Sequence, residues 1–162
     1  MRVWTKELKS GNREQAVGNQ KTPNGYCCMG LRNELEGMEF REVEGMYALE
    51  DADGAVEMPR PKRLRSWHLY RQVTNAEINK IRALMEQHTI EYDVFENPYA
   101  NGAVDDFDDY IDNIRTHHFS NPKRSEVLAY LNDGPEGMGG WTFNFIGTVV
   151  DELGWDNSRE SD

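Results

Sequence analysis

Gly25-Tyr26-Cys27-Cys28-Met29-Gly30-Leu31 is the stretch from which the rest of the chain is read. Cys27, Leu31 and Leu35 fall four residues apart, the spacing of one helix face, and Cys28 stands beside them. Residues 26–36 therefore read as a helix that is buried along that face. Gly30 is out of character there, because a glycine inside a helix costs about 1 kcal/mol relative to alanine. Close packing against another element is the physical reason to keep it. Gly37 supplies the stop.

Outward from this helix, residues 3–10 form a short helix with Trp4 and Leu8 one turn apart, ended by Gly11. Residues 12–24 are polar and read as a loop long enough to be functional. After Gly37 the pattern changes. Glu39 to Val43 alternates, Glu44-Gly45 turns the chain, Met46 to Leu49 follows, and Asp51-Ala52-Asp53-Gly54 precedes Ala55 to Met58. That order predicts a small antiparallel meander. Residues 67–73 and the alternating Ile90, Tyr92 and Val94 are expected as extended segments. Thr74-Asn75-Ala76-Glu77 is a capping box before Ile78, Ile81, Leu84 and Met85, an amphipathic helix. Phe107, Ile111 and Ile114 predict a helix over 104–115, and Asn121-Pro122 opens another over 122–131. After a glycine-rich turn at 134–140, Phe143, Ile146, Val150 and Leu153 mark the last helix. The expected fold is α+β, with four to five helices around the Cys-Cys helix and a small antiparallel meander. Residues 1–155 form one globular domain, and 156–162 an acidic, frayed tail.

The order of these features resembles a family of small proteins encoded by tailed phages and by bacteria carrying prophages. Its members show a tryptophan, a Leu-x-Ser-Gly helix end, a Gln/Gly-rich loop, a Tyr/Phe-Cys-Cys-Leu-Gly-Val core segment, and an Asn-Asp turn before a last helix. Here these are Trp4, Leu8-Lys9-Ser10-Gly11, Tyr26-Cys27-Cys28-Met29-Gly30-Leu31 and Leu131-Asn132-Asp133-Gly134. The likeness covers about half the chain and leaves out residues 39–118. It implies a phage or prophage origin and a helical core. It implies no reaction.

Charge is distributed unevenly. The formal net charge is −11. Residues 1–80 hold 13 Lys and Arg against 12 Asp and Glu, whereas residues 81–162 hold 5 against 17. The second half would repel a phosphate backbone, so direct nucleic-acid binding is disfavoured. A host protein with a basic surface would be attracted and steered. Asp105, Asp106, Asp108, Asp109 and Asp112 are the expected contact residues. The alternative reading is that this helix face serves solubility alone. No eighteen-residue apolar stretch exists, and the N-terminus has no signal-peptide core, so the chain reads as a cytoplasmic protein of the host cell.

Two other constellations carry chemistry. Arg60, Lys62, Arg63 and Arg65, followed by Trp67 and Tyr70, interleave cations with aromatics, as nucleotide-like ligands require. Pairing of this run with the acidic half is the competing explanation. Asp112, His117 and His118 suggest a metal-dependent hydrolase, although neighbouring histidine side chains diverge. No EF-hand, GxSxG or phosphate-loop phrase is present, and no cofactor is expected. Cys27 and Cys28 have no further cysteine with which to build a zinc site, and read as reduced structural thiols.

Overall fold

The computed structural model describes residues 1–44, 46–50, 67–88, 103–135, 137 and 139–161. Six helices dominate it: α1 (Val3–Lys9), α2 (Cys28–Leu35), α3 (Asn75–Gln87), α4 (Ala103–His118), α5 (Arg124–Asp133) and α6 (Phe143–Glu152). Two strands, β1 (Glu39–Val43) and β2 (Met46–Glu50), pair antiparallel around a turn with Val43 opposite Met46. The meander is not completed among the described residues, because 55–58 lie outside them, as do Ile90, Tyr92 and Val94. Residues 67–73 are not the expected strand: Trp67–Tyr70 is a 3-10 helix. Its Leu69 is fully buried, and Gln72 makes only an isolated bridge to Lys123.

One apolar core joins the helices. Trp4 and Leu8 of α1, Cys28 and Leu31 of α2, Ile81 and Met85 of α3, Phe107 of α4, Leu128 of α5 and Phe145 and Val149 of α6 are all buried in it. α1 lies close on α6, where a side chain at Gly147 would meet Leu8 and Lys9. Gly30 explains itself in the same way. A Cβ there would sit 1.8 Å from the Gln20 carbonyl oxygen. The helix begins at Cys28 rather than Tyr26, because Cys27 is its cap: the Cys27 Sγ accepts the Gly30 N–H at 3.3 Å.

Residues 12–24 are structural rather than a free loop. Ala16 N–H donates to the Tyr26 carbonyl, and Cys27 N–H donates to that of Gln20. The anchor is Asn132, whose side chain is fully buried. Its Oδ1 accepts from Cys28 N–H at 3.2 Å and from Gln15 Nε2 at 3.0 Å. Its Nδ2 donates to the Ala16 carbonyl at 2.8 Å and to Asp133 Oδ1 at 2.9 Å.

The C-terminal residues do not fray. The first turn of any helix exposes backbone N–H groups that need acceptors, and Arg2 gives α1 no side-chain cap. The chain end supplies them. Val3 N–H donates to the Arg159 carbonyl, Trp4 N–H to Ser158 Oγ and Thr5 N–H to Asp156 Oδ2. Asp156 and Ser158 are buried, correcting the expectation that the domain stops at 155. Trp155 is buried with them, under the guanidinium of Arg124 at 5.4 Å. Among the described residues no helix is long and apolar enough to cross a membrane.

Burial alone would raise the Asp156 carboxyl, but hydrogen bonds from Ser158 and Thr5 outweigh it and hold the group below its ordinary 3.8. A depressed native value stabilises the fold above the unfolded value, and this contribution is lost as pH falls through the native one. Urea denaturation over a pH series should therefore show stability falling as pH drops past 3.8. Asp156→Asn should be less stable at neutral pH and follow a flatter profile in that window. A parallel profile would contradict the cap.

Candidate functional site

α4 is the acidic helix. Ala103, Phe107 and Ile111 recur every four residues and are buried, which turns the aspartates outward. Asp105 and Asp106 occupy its first turn, where negative charge suits the helix dipole. The five aspartates do not form one surface. Asp105, Asp109 and Asp112 are exposed, whereas Asp106 and Asp108 are half-buried on its flanks.

Asp108 faces α3, where Arg82 holds it in an ion pair: Nη2 donates to Oδ2 at 3.0 Å, and Nε lies 2.7 Å from Oδ1. This pair shares a hollow of about 470 Å³ with Asp112 and Arg115. Asp108 is therefore committed within the fold.

The other flank faces α5 across a cleft of about 650 Å³. Asp106, Asp109, Glu126 and Asp133 line it, together with Asn113, Ala129 and Pro135. Between them lie Tyr110 and Tyr130, stacked with ring centroids 4.3 Å apart and planes 12° apart. Phe107 supports Tyr130 from the core at 6.0 Å. Burial, and then the nearby Glu126 carboxylate, push the Tyr110 hydroxyl well above its ordinary range, so it stays protonated. Carboxylates around an aromatic floor bind cations, by charge and through the ring faces. The sequence reading picked out Asp106 and Asp109 of this cleft and missed Tyr110, Tyr130, Glu126 and Asp133. Glu126, Tyr130 and Asp133 stand three or four residues apart on one face of α5, and that spacing was the available signal.

Of the basic constellation, Arg60, Lys62, Arg63 and Arg65 lie outside the described residues. Trp67 opens the 3-10 helix, and Tyr70 ends it 45% exposed. Nothing described brings these into one site. The described cations pair locally instead: Arg13 with Glu7 and Glu34, Lys80 with Glu152, and Arg124 with Glu77.

The hydrolase triad does not form. Asp112, His117 and His118 sit five and six residues apart on one helix, so their side chains point in different directions. His117 Nδ1 lies 2.8 Å from the Asn113 carbonyl oxygen. Among the described residues no three His, Cys, Asp or Glu side chains are placed to hold a metal ion.

The glycine-rich turn offers no anion site at α6. The Phe143 N–H already donates to Gln15 Oε1 and the Phe145 N–H to Thr142 Oγ1. The turn closes on itself through Gly139 N–H to the Asp133 carbonyl at 2.7 Å. The cysteines are structural as well: Cys28 Sγ donates to the Leu128 carbonyl at 3.6 Å. Burial pushes both thiols above their ordinary range, Cys28 further than Cys27.

No protein-family model, curated protein or solved structure matches this chain.

Because thiolates are the reacting species, both cysteines should label with iodoacetamide far more slowly in the native protein at pH 8 than in urea. Mass spectrometry of the alkylated chain reads this directly. Rapid native labelling of Cys28 would contradict its burial.

Proposed function

We propose that this chain is a phage or prophage accessory protein that acts in the host cytoplasm by binding a basic host protein through the acidic face of α4. The observation that carries the reading is the α4–α5 cleft. Four carboxylates there surround a stacked tyrosine pair, and the pair is fixed by packing rather than free in solvent. A lysine or arginine side chain entering this cleft would meet charge on its rim and ring faces on its floor. Asp109 is an exposed member of its rim, and the exposed Asp105 and Asp112 elsewhere on α4 add negative charge that steers the encounter. The net charge of −11 further favours a cationic partner over nucleic acid. The motif resemblance accounts for the phage or prophage setting. Within this α+β chain, the core helices serve as a rigid mount for the acidic face.

The direct test is capture from host lysate with the tagged protein, read by mass spectrometry. Wild type should retain a dominant basic protein that is released at high salt. A variant combining Asp105→Lys, Asp109→Lys and Asp112→Lys should lose at least about tenfold of the captured amount, as three exposed charges of α4, one of them on the cleft rim, reverse sign. Equal capture by that variant, or retention insensitive to salt, would contradict the reading.

A further inference from the structure

Phe119 stands out at the opposite end of α4. It follows the last helical residue and closes the helix, its N–H donating to the Arg115 carbonyl at 2.9 Å. Its φ is +56°, the left-handed conformation that glycine or asparagine usually supplies at this position. A bulky aromatic there is strained. The ring gains nothing from the fold in return, being 92% exposed. Strain held at an exposed aromatic, without compensating burial, points to a use outside the monomer. Two cations stand near it: Arg115, which lines the hollow beside Phe119 and donates to the Asn121 and Asn75 side chains, and the exposed Lys123. Among the described carboxylates, Glu126 lines a smaller hollow with His118 and Lys123, and Asp112 shares the α3–α4 hollow with Arg115.

An aromatic knob with a cationic rim calls for an aromatic recess with an anionic rim. The same chain has one, the Tyr110–Tyr130 cleft bordered by Asp106, Asp109, Glu126 and Asp133. Its volume exceeds that of a phenyl ring and falls within the range of ordinary binding sites. The knob cannot reach the cleft of its own molecule. Tyr110 and Phe119 are nine positions apart on one rigid helix, about 13 Å along its axis. Polyanions fit the cationic rim less well, since the molecule as a whole repels phosphate.

We propose that Phe119 of one copy seats in the acidic tyrosine cleft of a second copy, with Arg115 and Lys123 meeting the cleft carboxylates. The proposal shares with the reading above the premise that the cleft is a binding site, and names a different occupant. A second copy and a basic host protein would then compete for it. Repulsion between two acidic molecules is screened at physiological salt, where the Debye length is about 8 Å.

The test is sedimentation equilibrium of the purified full chain at about 0.15 M salt, the regime of that screening. Wild type should associate reversibly with rising concentration. Phe119→Gly and Asp109→Lys should each weaken association about tenfold or more, the size of a hot-spot loss. Phe119→Gly should also melt about 2–4 °C higher, since glycine relieves the left-handed strain. Its lost association would then not be a folding failure. An equimolar mixture of the two variants should recover a one-to-one complex, because one intact knob still meets one intact cleft. A wild type that stays monomeric to its solubility limit would overturn the proposal. So would association unmoved by either substitution, a lowered melting point for Phe119→Gly, or a mixture no more associated than its components. Phe119→Gly leaves the cleft whole, so its capture of a basic host protein would persist even if self-association fails.

Discussion

The amide of Asn132 is the contact on which this architecture depends. A buried side-chain amide offers two donors and two acceptor positions, and here all four are used. They join the end of α5 to two parts of the chain more than a hundred residues earlier: the loop at Gln15 and Ala16, and the first turn of α2 at Cys28. Replacing the amide with an apolar side chain would strand a buried N–H and carbonyl, at roughly 1–3 kcal/mol each. That is a large share of the stability a domain of this size possesses. The Cys-Cys-Met-Gly segment and the Asn-Asp turn are thus two halves of one joint. Their role in the fold is packing and hydrogen bonding.

A second constraint acts at the other end of the core. α1 is seven residues long and has no side-chain cap of its own. Residues 156–159 supply the missing acceptors and so tie the chain end to its beginning. Trp155 extends the clasp, with its indole donating to Glu77 Oε2 and its ring beneath Arg124. Arg124 begins α5, and Glu77 lies in the first turn of α3. The clasp therefore holds the elements that flank α4, and the acidic cleft is mounted on a frame closed at both ends.

Much of the helical core was legible in the sequence. The capping box at Thr74 and Glu77, the apolar spacing of Phe107 and Ile111, and the aromatic face of the last helix all lead to helices that form. What failed to show has a common physical cause. Asp156 and Ser158 look like tail residues, because the groups they cap lie about 150 positions away and leave no local pattern. Residues 67–73 carry aromatics suited to a strand, yet no neighbouring strand among the described residues is there to pair with them. Gly30 was correctly read as a close approach, but its partner, the Gln20 carbonyl, could not be named from spacing. The candidate site divides in the same way. Its aspartates stand out as a run, whereas the tyrosine floor arises only when α4 meets α5 and aligns Tyr110 with Tyr130.

The central claim is that binding belongs to this cleft rather than to negative charge in general. Amide-resolved NMR titration of the isotopically labelled protein with a lysine-rich peptide separates the two. The account predicts saturable shifts concentrated at Asp106, Asp109, Tyr110, Asn113, Tyr130 and Gly134, with Asp151 and Glu152 at the end of α6 nearly unmoved. Shifts spread evenly over every exposed carboxylate, without saturation, would show that the peptide samples the acidic surface at large and would contradict it.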